Sequence, residues 1–581
     1  MRSPVWSREK WLGALLLACL GPGPLSAQGA LPARVTRAVD TVFARFDRAG
    51  APGCALGIYR NDRMVYARGY GSANLELGVP IGPATVFDIG STSKQFTAMS
   101  ILLLARDGKL ALDDDVRRYL PELPAYRTPV TIRELLHHTS GARDYLTLMQ
   151  LAGERFENVS TDADALDLLA RQRALDFAPG SEWEYSNSGF FLLSLVVQRV
   201  SGASLRRFAQ ANIFGPLGMT HTHFHDDHQM IIPNRATAYD PPDSTGSFRI
   251  DMSNFEQTGD GAVNTTVEDL LRWDANFYSG TVGGPWVLAE MLRPGTLNDG
   301  TVLDYASGLF LAHYRGLPTV AHGGSWAGYR AELLRFPSEH VSVACLCNLA
   351  GSNPSGLALR VADVVLADRF AAVASAGGGR GSGPDTSAAQ VPPDALLAMP
   401  GTYRDARNGG VAHLALTADS LRLQYTGYAL SLRAVAPGEF ELVDAEARLR
   451  FMPASGGLPR RIRISGSGLG DRVLDAIEPA TPSRAELAQL AGEYWSPELG
   501  ADYRIALESD SLVLHARNLP VSALGPTLRD ELESAAAGFT LHFARDRGSR
   551  VTGFTLAAGR TQGLWFERRR PTSSPVPPRG R

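Results

Sequence analysis

The last third of the chain repeats itself, and this restricts the fold more than any other feature. Gly401-Thr402-Tyr403 is answered by Gly492-Glu493-Tyr494, and Asp419-Ser420-Leu421-Arg422-Leu423 by Asp510-Ser511-Leu512-Val513-Leu514, both at an offset of 91 positions. Phe451 and Ile462 are answered by Phe543 and Phe554, with the offset grown by one. Stretches such as Leu414-Ala415-Leu416 and Tyr503-Arg504-Ile505-Ala506-Leu507 alternate in side-chain character with a period of two, which puts one set of side chains on a buried sheet face. The copies, 396–480 and 486–570, are therefore expected to be antiparallel β meanders, closed as two small barrels or one joined barrel.

Upstream the pattern changes. Across about 30–372, helical and strand periods alternate, predicting a mixed α/β domain with an antiparallel sheet. Ala55 to Gly71 reads as a hairpin turning at Asn61-Asp62, and Phe96 to Ala105 as a strongly apolar helix ending near Gly108. Thr265 to Glu268 matches a capping box ahead of a helix from Asp269 to Phe277. Thr319–Ala321, Ala331–Phe336 and Val341–Cys347 read as adjacent strands. The Ala-, Gly- and Ser-rich stretch at 373–395 has no apolar period and reads as a linker. With 581 residues the chain has room for three to four such units.

Residues 1–27 place Arg2, Arg8 and Lys10 ahead of an apolar run from Trp11 to Leu20, then Leu25-Ser26-Ala27, the order of a secretory signal. An exported protein, periplasmic or secreted, is expected, cleaved after Ala27 or lipid-anchored at Cys19. Only Cys54, Cys345 and Cys347 follow, too few for a disulfide framework, and Cys345 and Cys347 are expected to act as small core hydrophobes. The histidines of His221-Thr222-His223-Phe224-His225 lack an acidic or cysteine partner at ligand spacing and read as a solvated loop, so no metal site is expected. A formal net charge of −3 leaves no global field for nucleic acid.

Three clusters carry chemistry. In Gly90-Ser91-Thr92-Ser93-Lys94 the i, i+3 spacing sets the Ser91 hydroxyl beside the Lys94 amine, and a serine needs a neighbouring base to become a nucleophile. Ser-x-x-Lys alone is a chance spacing. Composition sharpens it: of 57 Lys plus Arg, lysine occurs only at Lys10, Lys94 and Lys109, and arginine cannot give up its proton in a protein. In the second cluster, Tyr185-Ser186-Asn187 ahead of the apolar helix Phe190–Val197, Tyr185 can shuttle a proton and Asn187 can bond a substrate amide or the Lys94 amine. In the third, His322-Gly323-Gly324-Ser325, glycines let substrate lie along a strand end. The N–H groups of Ser325 and Ser91 are then expected to bind an oxyanion, with His322 and Gly324 lining the substrate site.

Ser91-Thr92-Ser93-Lys94, Tyr185-Ser186-Asn187 and His322-Gly323-Gly324, in that order, resemble the three motifs of the class C β-lactamase-like and penicillin-binding-protein-like serine hydrolases. Asp107-Gly108-Lys109-Leu110 and Leu135-Leu136-His137-His138-Thr139-Ser140-Gly141 resemble that family's framework segments. The resemblance covers about Ala30 to Phe370. It implies a β-lactamase/transpeptidase-like α/β (α+β) domain, its antiparallel sheet flanked by helices. The tail is similar to the lipocalin-like or barrel domains of D-aminopeptidase relatives. It further implies an acyl-enzyme formed on Ser91, with Lys94 and Tyr185 moving the proton and no cofactor.

One departure bears on substrate. The β-lactamases of this class carry lysine where this chain has His322, and no lysine follows Lys109. An esterase or D-amino-acid-specific peptidase is therefore expected ahead of a β-lactamase or D-Ala-D-Ala carboxypeptidase, acting on a small-molecule or peptide substrate. Two other readings stand beside it. Gly323-Gly324-Ser325-Trp326-Ala327 approaches the Gly-x-Ser-x-Gly elbow of α/β-hydrolases but lacks the last glycine. A non-catalytic cell-wall or ligand-binding protein would instead use the duplicated β region for recognition. Oligomeric state is not legible.

Overall fold

The computed structural model describes residues 30–376 and 396–569, apart from 418–419, 426–427, 443–446, 456–458 and 467–469. The expected signal at 1–27 lies outside the described residues, as does most of the 373–395 linker. The part of that linker that is described is helical: Ala367–Ala376 continues four residues into it.

The first unit is built on a six-stranded antiparallel sheet. Its strands are β1 (Cys54–Arg60), β2 (Arg63–Tyr70), β3 (Phe310–Tyr314), β4 (Leu317–Trp326), β5 (Tyr329–Phe336) and β6 (Val341–Cys347), in the spatial order β2-β1-β6-β5-β4-β3. The hairpin between β1 and β2 turns where expected, Asn61 and Asp62 both holding positive φ (50° and 60°), as a two-residue turn matched to strand twist requires. Because β1 and β6 are far apart in sequence yet adjacent in the sheet, the sheet is complete only when the two ends of this unit meet.

Helices cover both faces. α1 (Ala33–Val42) and α5 (Pro354–Val365) bury Val39, Phe43, Leu357 and Val361 against one face. The other face meets α4 (Val267–Ser279) and then α2 (Lys94–Arg106) and α3 (Asn187–Ser201). α2 is buried from Lys94 to Leu104, the condition of a central helix with no solvent face. α4 is capped one residue later than expected: Thr266, not Thr265, accepts from Asp269 N–H at 3.1 Å.

The cysteine expectation needs correction. Cys54 and Cys347 are bonded to each other as cross-strand partners of β1 and β6, while Cys345 is free and buried. Sequence could not reveal this, because the pairing depends on the register of two strands 293 residues apart. His221–His225 is likewise not a solvated loop: His223–Phe224 is a short strand beside Val263–Thr265, and burial lowers His223 and His225 to about 4.

The repeat forms two closed eight-stranded barrels, running from Gly401–Asp405 to Gly470–Ile477 and from Gly492–Ser496 to Thr561–Arg568. Both keep the same lock at the first strand: Tyr403 Oη donates to Met399 O at 2.5 Å, and Tyr494 Oη to Leu490 O at 2.7 Å. The second barrel shares one continuous apolar core with the hydrolase-like unit, Leu148 and Leu151 joining Tyr503 and Phe566. A buried ion pair, Arg143 Nη1 to Glu498 at 2.7 Å, crosses the same junction.

Candidate active site

Ser91 sits in a 3-10 turn, Gly90–Ser93, that runs straight into α2. Residues three apart eclipse one another in that geometry, and the Lys94 Nζ lies 3.0 Å from Ser91 Oγ. The turn is pinned on three sides. Gly90 N–H donates to Asp88 Oδ1 (2.7 Å), Thr92 Oγ1 to His322 O (2.9 Å), and Val263 N–H to Ser93 Oγ (3.0 Å).

Two glycines bring β4 onto this turn. Gly90 has φ +47°, and a Cβ there would stand 2.7 Å from Ser325 N; a Cβ on Gly324 would stand 1.9 Å from Ile89 O. Their absent side chains set the Ser325 backbone nitrogen beside the nucleophile turn, which is the placement an oxyanion site needs.

Lys94 is wholly buried and has three polar neighbours. Nζ donates to Asn187 Oδ1 at 3.0 Å and to Asp260 O at 2.6 Å, and the third neighbour is Ser91 Oγ. Asn187 is oriented by Asp144, whose Oδ2 accepts from Asn187 N (2.7 Å) and Nδ2 (2.9 Å), so the amide oxygen must face Lys94. Two directions at Nζ thus meet groups that only accept. The third meets a hydroxyl that can donate or accept. An ammonium satisfies all three, and a neutral amine satisfies the same three with its lone pair on Ser91 Oγ–H. A site that accommodates both states is what a general base requires.

Tyr185 closes the group. Lys94 Nζ is 4.8 Å from its ring centroid, and its Oη is buried with no hydrogen-bond partner among the described residues. A buried unpaired hydroxyl costs about 1–3 kcal/mol, so this phenol is held ready for an atom that arrives with substrate.

His322 lines the same cleft as Ser91, and its ring is held by a chain of hydrogen bonds. Ser186 N–H donates to His138 Nδ1 (3.2 Å), which puts the proton of His138 on Nε2, facing Tyr305 Oη at 3.1 Å. The Tyr305 hydroxyl then donates to His322 Nε2 (3.2 Å), and His322 Nδ1–H donates to Gly323 O (2.6 Å). Both ring nitrogens are taken and only 3% of the residue is exposed. Burial, reinforced by the Lys94 charge, lowers His322 to about 3 and His138 well below its ordinary value. His322 is thus neutral and brings no fixed cation to the cleft.

The turn opens into a cleft of about 2220 Å³ whose lining includes Ser91, Tyr185, Trp183 and Ser325 and, from the two barrels, Arg472 and Arg560. Sequence reasoning did not single out Asp144, Asp260, Tyr305 or Arg560. Asp144 and Tyr305 carry no spacing signal. Asp260 serves through its backbone carbonyl, while burial raises its carboxyl to about 6 beside Tyr145 Oη (3.2 Å). Among the described residues, the groups spaced to hold a metal are Cys54, Cys345 and Cys347, and Asp227, His228 and Glu256; neither includes a residue of the Ser91 site.

Residues 39–368 match the family described as Beta-lactamase. A D-aminopeptidase of Gluconobacter oxydans is 32% identical over 317 residues, 54% of this chain and 59% of that protein. A D-aminopeptidase of Cereibacter sphaeroides is 26% identical over 542 residues, 89% of this chain and 95% of that protein. The chain therefore spans less than two thirds of the first relative and nearly all of the second. The octameric penicillin-binding protein homologue from Pyrococcus abyssi shares the fold, with a TM-score of 0.52 at 22% identity over 76% of this chain and 99% of that one.

Proposed function

The chain belongs to the beta-lactamase family, and we propose that it is a serine hydrolase that cleaves amide or peptide bonds next to D-amino acids through an acyl-enzyme on Ser91. The observation that carries the reading is the Lys94 amine, held by Asn187 Oδ1 and Asp260 O with its remaining direction on Ser91 Oγ at 3.0 Å.

In this reading Ser91 Oγ attacks the scissile carbonyl carbon and its proton passes to Lys94 Nζ. The carbonyl π electrons move onto oxygen, which is met by the N–H groups of Ser91 and Ser325. Collapse of the intermediate breaks the C–N bond, and the leaving nitrogen takes a proton through the Tyr185 phenol, whose unpartnered Oη supports that role. Water then attacks the ester, giving its proton to the same base and returning the Ser91 hydroxyl. Losing one oxyanion donor costs on the order of 10²–10³ in turnover.

Neutral His322 supplies no fixed cation at the third motif, which supports a peptidase or amidase ahead of a β-lactamase. The name shared by the two relatives supports the D-configuration. Export belongs to the same proposal: a Cys54–Cys347 bond suits an oxidising compartment, and the basic-then-apolar leader supports cleavage before Gln28.

Matched D- and L-alanine p-nitroanilides, an ester and nitrocefin, assayed with wild type and Lys94→Met, test the proposal. The expected result is fastest turnover of the D-anilide, reduced by about 10³-fold or more in the variant. Faster turnover of the ester or nitrocefin, or an unaffected variant, overturns it.

A further inference from the structure

The cleft has an arginine that the hydrolytic machinery does not use. Arg560 stands at the tip of the second barrel's last hairpin, between Val551–Ala558 and Thr561–Arg568, and its guanidinium carbon is 4.6 Å from the Tyr185 ring centroid. Lys94 Nζ is 4.8 Å from the same centroid, so the two cations lie within about 10 Å, the span of ~3 extended residues. Arg560 therefore lies within reach of a residue next to the bond that Ser91 attacks.

The tip is fixed in place. Asp144 N–H donates to Arg560 O (3.2 Å), and Gln562 N–H donates to Asp176 Oδ1 (2.7 Å). Asp144 is the residue that orients Asn187, so the hairpin and the Lys94 site are tied through one carboxylate residue. Behind the tip, the Arg143–Glu498 pair anchors the barrel.

Among the described residues its charge also has no direct ion-pair partner. Arg472, the cleft arginine from the first barrel, is matched by Glu184 at 3.4 Å. Among the described residues no carboxylate lies within salt-bridge distance of Arg560; its guanidinium lies on the face of Tyr185, a weak partner compared with a carboxylate, and its charge acts at longer range on Glu184, which Arg472 pairs directly. Lys94 has all three donors engaged, and His322 has both nitrogens engaged.

We propose that Arg560 binds a substrate carboxylate, and that this site selects peptides carrying a carboxylate on a residue flanking the scissile bond. The proposal rests on Ser91 being the nucleophile of this cleft. The cation missing from the third motif is thus supplied by the second barrel, which makes that barrel part of the specificity site. The carboxylate belongs either to the leaving residue's C-terminus or to an acidic side chain on the acyl residue.

Two substrate pairs separate these sources. An acyl-D-alanyl-D-alanine is compared with its C-terminal amide, and a D-glutamyl with a D-glutaminyl p-nitroanilide, in the full-length wild type and in Arg560→Gln and Arg560→Lys. The readout is the ratio of kcat/KM within a pair, which cancels any shared effect on Tyr185. In wild type, one pair is expected to favour the acid by about 10-fold to 100-fold, the value of a charged hydrogen bond. Arg560→Gln is expected to bring that ratio close to one, and Arg560→Lys to keep part of it. No acid preference in either pair, or a preference unchanged in Arg560→Gln, overturns the proposal. Fluorophosphonate labelling of wild-type Ser91 is run in parallel: labelling without acid preference refutes the role of Arg560 alone, whereas loss of labelling refutes the nucleophile.

Discussion

Asp144 Oδ2 accepts two hydrogen bonds from one residue, the backbone N–H of Asn187 at 2.7 Å and its side-chain Nδ2 at 2.9 Å. Its other oxygen caps the helix Tyr145–Leu151 by accepting from Thr147 N–H at 3.0 Å. Asp144 is therefore a positioning residue that sets which end of the Asn187 amide meets Lys94. Asp144→Ala frees that amide to flip, and kcat is expected to fall by about 10-fold to 100-fold with a smaller change in KM. Equal loss of kcat and thermal stability, with no recovery in Asp144→Asn, would make the residue structural only.

The close approach of β4 to the nucleophile turn depends on Gly324. A methyl there would stand 1.9 Å from Ile89 O, so Gly324→Ala must push the strand away and shift Ser325 N–H from the oxyanion position. We expect kcat/KM to drop by at least about 100-fold. Steady-state kinetics beside far-UV circular dichroism separates this from unfolding; unaltered kinetics would remove Ser325 N–H from the mechanism.

His322 gives a pH signature. In the folded protein it stays neutral down to about 3, against an ordinary value of 6.5. Between those values the unfolded chain binds more protons than the folded one, so this group's contribution is complete above 6.5 and is lost as pH falls toward 3. The Tm of wild type minus that of His322→Asn should therefore rise with pH over that window and level off above it. A difference that stays constant, or falls with rising pH, would mean that His322 is not held neutral.

The second barrel is expected to be inseparable from the hydrolase unit. Arg143 is almost fully buried between Glu498 at 2.7 Å and Asp176 at 3.4 Å, so removing Glu498 leaves the guanidinium its weaker partner and costs up to about 3–5 kcal/mol, the figure for a fully stranded charge. Urea unfolding of Glu498→Ala should show a loss of this size. A chain ended after Phe370 should aggregate, since it exposes the Leu148 and Leu151 surface that Tyr503 covers. A monodisperse, fully stable truncation would argue against the shared core.

Much of this was legible beforehand for local reasons. The Ser91–Lys94 spacing, the Asn61–Asp62 turn and the duplication at 91 positions each depend on neighbours in sequence or on a direct repeat. The Cys54–Cys347 bond joins residues 293 apart, the His138–Tyr305 link residues 167 apart, and the reach of Arg560 over Tyr185 crosses a domain junction; no period or spacing encodes such contacts. His322 shows the difference most clearly. Its identity was readable, but its neutral state follows from a burial that only the packed sheet creates.

The account stands on which hydroxyl becomes acylated. Reaction of the full-length protein with a fluorophosphonate, followed by protease digestion and mass spectrometry of the modified peptide, reads this directly. The adduct is expected on Ser91 and nowhere else, absent from Ser91→Ala, and strongly slowed in Lys94→Met. An adduct on Ser325, or one that persists in Ser91→Ala, would contradict it.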